Sequence, residues 1–327
     1  MFHLTEAEII ANWPVDEPIR VSVCCITYKQ EQYIAQAIDS FLMQKTTFPF
    51  EIVIGEDCGG DGTMSILYEY QKRYPNLIKI ITSEQNIGAN ANLLRVFTAA
   101  RGDYIAICEG DDYWISEQKL TKQKEILDIY SDIDLVTSNA ICVDKNCIYI
   151  KDFYCGHSFF STLKDVLLSP WQFAPTASYF FRKRSLEKIP LWFANATIGD
   201  IYMELYLGES GIIVCDEPLC AYRIGAENSW SSTINKSKLN SIVSHYDNFI
   251  YSLEIAKKDL CGFDYFFDFK INDIRLSKAK TYLKVSRYKD AYIEMSNVNF
   301  FNEMSVKNKF VYYIFRLIYM FVPKNEN

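Results

Sequence analysis

Basic side chains are the minority charge in this 327-residue chain. Lysines and arginines number 34 against 41 acids, a formal net charge of −7. A general nucleic-acid binder would show the opposite balance, because phosphate backbones are gripped by clustered cations. Histidine is scarce, at 3, and no two of the 10 cysteines stand at the C-x-x-C spacing, which argues against a zinc centre. Several thiols (Cys24, Cys25, Cys108, Cys215) lie in apolar runs, where sulfur behaves as a small hydrophobe. Reduced buried thiols fit a cytoplasmic location. Residues 1–19 carry Glu6, Glu8, Asp16 and Glu17 and lack a long apolar centre, so no signal peptide is expected there. Phe310 to Val322 is nearly all apolar apart from Arg316, yet it falls short of the roughly 20 residues a bilayer span needs. Neither a sustained repeat nor a low-complexity tract is found.

What is present is enough for a sizeable core: hydrophobic residues make up 49% of the chain and charged residues 23%. The length suits one large domain or one and a half. Apolar strand-like runs alternate with helical periodicity through the first half. Arg20–Ile26, Phe50–Gly55, Leu77–Thr82, Tyr104–Cys108 and Asp134–Ser138 read as strands. Glu31–Gln44, Met64–Arg73, Ala91–Ala100 and Glu117–Tyr130 read as helices. In the helix after the first strand, Ile34, Ala37, Ile38, Phe41 and Leu42 form one apolar face. Such alternation implies βαβ units and a mostly parallel sheet.

Beyond residue 150 the alternation weakens. Phe159–Leu168 reads as a helix, Ala177–Phe181 as a strand, Leu191–Ile198 as a loop, Asp200–Gly208 as a helix and Ile212–Val214 as a strand followed by Leu219–Arg223. From Ser232 the texture is helical, over Ser241–Lys258 and Asp273–Met295. This gives a lead segment over 1–18, an α/β domain over 19–232 and a helical region over 233–327 that ends in the apolar tail.

The most telling stretch is Glu109-Gly110-Asp111-Asp112-Tyr113-Trp114, directly after the fourth strand. Open α/β sheets build their sites at the carboxyl ends of strands. Crowded acids there are costly unless a cation relieves them. A divalent ion gripping a diphosphate would do so, since ions of the Mg²⁺ type take one or two carboxylates plus substrate phosphates; a solvated acidic turn is the plainer alternative. Asp57 and Asp61 flank glycines at the end of the second strand, placed either to meet a base or ribose or to form a tight turn. Asn90 reads as a cap of the following helix. Asn92 lies inside that helix, where asparagine is unfavourable and a polar role gains weight. Asp200 opens a helix as a cap or faces a cavity as a base. Arg223 can clamp phosphate, and Trp230 can stack on a sugar ring; both also suit an ordinary surface loop.

Taken in order, these segments resemble the family 2 glycosyltransferases of GT-A fold, of the type that builds bacterial surface polysaccharide. The likeness runs over residues 19 to 232. It rests on the Val-Ser-Val…Thr-Tyr opening, the Asp57–Thr63 loop, the Asn86-x-Gly88 turn, the Glu109-x-Asp111 motif and Gly199-Asp200. The resemblance implies that Thr27 and Tyr28 border a nucleotide pocket, that Asp57 meets uracil and that Asn92 stands where a nucleotide contact is common. It further implies that Asp111 holds Mn²⁺ or Mg²⁺, with Glu109 near the ribose or a metal-bound water, Asp112 beside them and Asp200 as the base of an inverting transfer. Glutamate in place of the first aspartate of the family's Asp-x-Asp motif is a departure. The implied partners are a nucleotide-sugar, of UDP type, and a glycan or lipid-linked saccharide acceptor, with no nucleic acid. The apolar tail would then dock on the core or lie at the inner membrane surface, where its tyrosines and flanking lysines suit an interface. A nucleotidyltransferase also sets carboxylates and a metal on such a sheet, but Thr27-Tyr28-Lys29-Gln30-Glu31 is no glycine-rich basic phosphate loop. A non-catalytic nucleotide-sugar-binding module is the remaining alternative, and the intact acidic set argues against it.

Overall fold

The computed structural model describes residues 3–153, 159–170, 172–227, 239–299 and 308–313. It divides into two compact units, Met1–Val166 with Trp171–Lys236, and Leu167–Pro170 with Ser237–Asn327.

The first unit opens with a short helix, α1 (Glu6–Ile10), and then alternates: β1 (Val21–Thr27), α2 (Ile34–Leu42), β2 (Phe50–Glu56), α3 (Thr63–Arg73), β3 (Ile78–Thr82), α4 (Ala89–Ala99) and β4 (Tyr104–Ile107). β1, β2 and β4 are buried along their whole length, as strands covered on both faces must be. After a two-residue strand, β5 (Tyr113–Trp114), come α5 (Lys119–Ile129), β6 (Leu135–Val143), β7 (Tyr149–Phe153), β8 (Phe160–Ser161), α6 (Leu163–Leu168), β9 (Phe180–Arg182), α7 (Asp200–Leu207) and β10 (Ile212–Arg223).

The sheet order is β3-β2-β1-β4-β9-β6-β10-β5, with β7 on β6 and β8 on β10. β1 pairs in parallel with β2 and β4, and β2 with β3. β9 runs antiparallel to both β4 and β6. β6 therefore runs with β4, and β10 runs with β6. Six strands share one direction, with β9 threaded between them. This is the mostly parallel, helix-flanked GT-A sheet expected from the sequence. The core fills the space between sheet and helices; α2 contributes Ile34, Ala37, Ile38, Phe41 and Leu42, and β5 contributes Trp114. The described cysteines are free thiols, five of them buried.

Several elements differ from the sequence expectations. The helix expected over 159–168 is split. Thr162 donates from both its N–H and its hydroxyl to Asp165, at 2.8 and 2.9 Å, and so starts α6 after β8. The strand expected from Ala177 begins at Phe180, because Trp114 and Gln123 side chains claim the carbonyls of Ala177 and Ser178. Leu191–Asn195 is a 3₁₀ turn rather than loop. β10 is one strand, kept continuous across Asp216-Glu217-Pro218 by two register shifts.

The second unit holds α8 (Leu239–Asp259), α9 (Asp264–Lys284) and α10 (Tyr288–Ser296). The helical texture expected over 273–295 is divided between α9 and α10, where Ser286 adopts φ 61° and the N–H of Arg287 returns to Tyr282 O. Leu276, Ala279, Tyr282, Ala291 and Met295 pack together. Buried Lys278 bonds Asp247 at 2.6 Å and Glu294 at 2.5 Å, which satisfies a charge that would otherwise be expensive to bury. No described helix is long and apolar enough to cross a membrane. Of the apolar stretch 310–322, residues 314–322 lie outside the described residues.

Candidate active site

The carboxyl edge of the sheet gathers most of the sequence-predicted residues. Thr27 ends β1 and pairs with Glu56 at the end of β2. Two loops follow and tie to each other: Gln30 N–H donates to Thr63 Oγ1 at 3.0 Å, Glu31 N–H to Asp61 at 3.2 Å and Gly62 N–H to Glu31 at 2.6 Å. Tyr28 is half-buried, with Lys29 Nζ 5.2 Å from its ring centre. The buried Asp57 carboxylate accepts from Ser83 Oγ, Ile87 N–H and Gly88 N–H, each at 2.9 Å. A carboxylate offers about four lone-pair positions, so Oδ2, which takes only Gly88, keeps one to spare.

The acidic segment is fixed from below and from the side. Gly110 N–H donates to Ile26 O at 3.0 Å, and Asp112 N–H closes a turn onto Glu109 O at 3.1 Å. Glycine at 110 is a packing requirement: an added Cβ would stand 2.5 Å from Gln30 Oε1 and 3.0 Å from Thr27 Cβ. From the last strand, Arg223 N–H donates to Asp112 Oδ1 at 2.7 Å and its Nε to Asp111 O at 2.7 Å.

Three carboxyl groups thus share one small region, Asp112 buried, Glu109 and Asp111 half-buried. Burial pushes Glu109 up to about 8, with Asp111 and Asp200 adding to the effect. Burial also raises Asp111; its own N–H, Arg223 and a hydrogen bond from Gln30 act against that. Asp112 is driven well above the carboxylate range by burial and then by its two acidic neighbours. These shifts mean the segment resists carrying its full negative charge unaided.

Asp200 is half-buried at the first position of α7, and Gly199 is the cap residue. The cap reading of Asp200 therefore does not hold: its Oδ1 accepts from the adjacent Ile201 N–H at 2.8 Å. Across 91 residues of chain the fold brings Asp200 within electrostatic reach of Glu109. The Asn90 cap reading fails likewise. Gly88 is the cap of α4, and Asn90 Nδ2 donates to Ala196 O at 2.8 Å. Asn92 is buried and has both ends of its amide engaged, with Gly55 O at 2.8 Å and Arg95 at 2.6 Å. Arg223 is buried too. Its guanidinium reaches Asp111 O, Gln36 Oε1, the carbonyls of Asp144 and Lys145 and the Cys147 sulfur, and stacks 4.7 Å from Tyr33. It sits in the protein as a brace. Trp230 lies outside the described residues.

Two groups were missed from the sequence. Gln30 supports Asp111. The Tyr222 phenol, pushed upward first by burial, feels Asp112, Glu109, Asp111 and Asp200 together. Neither carries a local signal, because Gln30 comes from the loop after β1 and Tyr222 from β10, both far from the acids in sequence.

The donor set fits a hard divalent ion held mostly by its ligand. Among the described residues no three acidic, histidine or cysteine side chains close around a point. Asp112 Oδ2, Thr27 Oγ1 and Gln30 Oε1 are buried without partners, which is rare unless something further is bound. One or two carboxylates with open positions is the Mg²⁺ or Mn²⁺ pattern. A cavity of about 860 Å³ lies elsewhere, at the amino edge of the sheet. Two of its cations are already paired, Arg20 with Asp103 at 2.6 Å and Arg101 with Glu51 at 2.8 Å.

An uncharacterized protein of Mycobacterium tuberculosis is 35% identical over 219 residues, 65% of this chain and 61% of that one; the chain thus spans about three-fifths of the length of that curated relative. The putative teichuronic acid biosynthesis glycosyltransferase TuaG of Bacillus subtilis is 34% identical over 118 residues, 36% of this chain and 44% of that protein. Among solved structures, S. aureus TarS 1–349 in complex with UDP-GlcNAc matches with TM-score 0.63 at 17% identity, covering 86% of this chain and 82% of that one. Mannosyltransferase PcManGT from Pyrobaculum calidifontis, in complex with GDP-Man and Mn²⁺, matches with TM-score 0.55 at 15% identity, over 95% and 89%. The family model for glycosyl transferase family 2 covers residues 22–189, just over half the chain, and the chain belongs to that family.

Proposed function

We propose that this protein is an inverting, metal-dependent glycosyltransferase. It moves a hexose or N-acetylhexosamine from a UDP-sugar to a hydroxyl of a glycan or lipid-linked acceptor in surface polysaccharide biosynthesis. The observation that carries the reading is the grouping of Glu109, Asp111 and Asp112 on the carboxyl edge, disfavoured as charged groups by burial and by one another, with Asp200 on a separate helix within electrostatic reach of Glu109. The TarS complex with UDP-GlcNAc and the PcManGT complex with GDP-Man and Mn²⁺ support it.

Asp111 would hold the ion, with Glu109 beside it and Asp112 anchoring the turn to β10. When bound, the divalent ion supplies Lewis-acid stabilisation of the departing diphosphate. The chain's own residues do the rest. The spare lone pair of Asp57 accepts the N3–H of uracil. Thr27 and Tyr28 wall the nucleotide at the end of β1. Asp200 takes the proton of the attacking acceptor hydroxyl, a service typically worth ~10²–10⁴-fold in rate. One base and no nucleophile gives single displacement with inversion at the anomeric carbon. Contact of the 310–322 stretch with the inner membrane surface belongs to the same reading, and equal liposome flotation of the full chain and a chain ending at Ser305 would remove it.

The test is calorimetry of UDP with and without Mn²⁺, alongside nucleoside diphosphate release from a panel of nucleotide-sugars. Wild type should bind UDP only with the ion and release UDP from at least one donor. Asp111→Ala should lose the metal-dependent binding; Asp200→Asn should keep it and lose turnover. Binding of UDP that ignores both Mn²⁺ and Asp111→Ala would overturn the proposal.

A further inference from the structure

We infer that Asn90 is a positioning residue, which refers the loop carrying Asp200 to the turn that reads the nucleotide base. The inference rests on the functional reading above and adds a residue to it. Asp57 organises the Ile87-Gly88 turn through their two N–H groups. Gly88 caps α4, and Asn90 stands in its first turn. From there its Nδ2 crosses to Ala196 O at 2.8 Å, a link between residues 106 apart in sequence. Its Oδ1 lies over Gly199: a Cβ there would fall 2.2 Å from that oxygen and 3.0 Å from Asn90 Cγ. Gly199 is the cap residue of α7, and Asp200 follows it directly.

Two sets of contacts bear on how the 190–199 segment is placed. Trp192 packs edge-on against Tyr202 at 4.9 Å and Tyr206 at 6.1 Å. That contact joins the loop to α7 and would travel with α7 if the helix shifted. The Asn90 contacts tie the same loop to α4, whose starting turn is gripped by Asp57. Asn90 therefore relates the position of the base to the side of the site where the donor sits. A general base works only within hydrogen-bond reach of its proton, and a misplacement of ~1 Å can cost ~10²-fold. The bare Gly199 leaves room for the amide to lie across the loop.

The experiment compares wild type, Asn90→Ala, Gly199→Ala and the double variant as full chains. UDP release is followed from UDP-GlcNAc, or GDP release from GDP-mannose, whichever wild type turns over. Asn90→Ala should lower kcat at least tenfold, with donor KM and the Kd for UDP with Mn²⁺ within twofold of wild type. Gly199→Ala should do the same, since its methyl would displace the Asn90 amide. The double variant should be no worse than either single one, because the clash is then gone. In hydrogen exchange, UDP with Mn²⁺ should slow the Ile201–Met203 amides of wild type and leave those of Asn90→Ala unchanged. Multiplying losses, a matched rise in KM, or equal protection in both proteins would refute the coupling while leaving the functional reading intact. A wild type that turns over neither donor, and whose UDP binding ignores Asp111→Ala, would refute both.

Discussion

Arg223→Met separates two roles for this arginine that look alike in sequence. Met keeps most of the aliphatic bulk and removes every donor. In the structure Arg223 is 3% exposed, and the two shortest bonds of its guanidinium, to Asp111 O and Gln36 Oε1, are both 2.7 Å. In each the charged guanidinium is the donor, and such a bond has a net worth of about 1.5–3 kcal/mol. Their loss should therefore destabilise by about 3–6 kcal/mol, a large share of the ~5–15 kcal/mol that holds a typical domain. The longer contacts to Asp144, Lys145 and Cys147 are neglected. Arg223→Lys keeps the charge without the fork and should recover less than half of the loss. Urea unfolding followed by tryptophan fluorescence reads the first unit, whose residue ranges contain all five tryptophans. A phosphate clamp predicts the reverse pattern: stability within about 1 kcal/mol of wild type and binding of UDP with Mn²⁺ abolished. That result would refute the brace.

Asp57→Asn replaces one acceptor face with a donor, against a carboxylate that already takes three hydrogen bonds; UDP affinity by calorimetry should fall about tenfold, ~1.4 kcal/mol. Gly110→Ala would press a methyl against Gln30 and Thr27; it should cost about 1–3 kcal/mol as overpacking and weaken Mn²⁺-dependent UDP binding at least tenfold, whereas an unchanged Kd would show that the segment tolerates displacement. Burial holds Lys119 down to about 8, from an ordinary 10.5. Below pH 8 both folded and unfolded chains carry its proton and the burial cost is present in full; between pH 8 and 10.5 the unfolded chain binds more protons, so the cost is relieved as pH rises. Relative to Lys119→Met, wild type should gain up to about 3 kcal/mol between pH 7 and 10.5, and parallel stability curves for the two proteins would refute it.

Of the first four parallel strands, β1, β2 and β4 were legible because burial along their whole length writes them as mostly apolar runs, and β3 because three of its five residues are isoleucine. The acids at 109–112 were legible because they follow such a run directly. β7 was not: its Tyr149-Ile-Lys-Asp-Phe153 sequence is largely exposed, and the hairpin is set by Asp144 accepting from the N–H groups of Asn146 and Ile148. β9 was expected as a strand over Ala177–Phe181 and lies over Phe180–Arg182; its start was misplaced because the Ala177 and Ser178 carbonyls are taken by Trp114 and Gln123, which lie far back along the chain. The brace role of Arg223 depends on Gln36, Asp111 and Asp144, which belong to three separate stretches of chain. Asn90 read as a cap because a helix start lay beside it, while its partner Ala196 lay far along the chain.

The threading of β9 between β4 and β6 sets an order of completion. Strands up to residue 107 can pair among themselves as soon as they are made. β6 and β10 join that group only through residues 180–182, and β5, just past the acids, finds its partner only at Ala221 and Cys220. A nascent chain ending before residue 220 would carry all three carboxylates without the bonds from Arg223 to Asp111 and Asp112 or the pairing of β5 with β10. On the functional reading proposed above, the acidic turn would therefore be braced only late in synthesis, after β10 has joined the sheet.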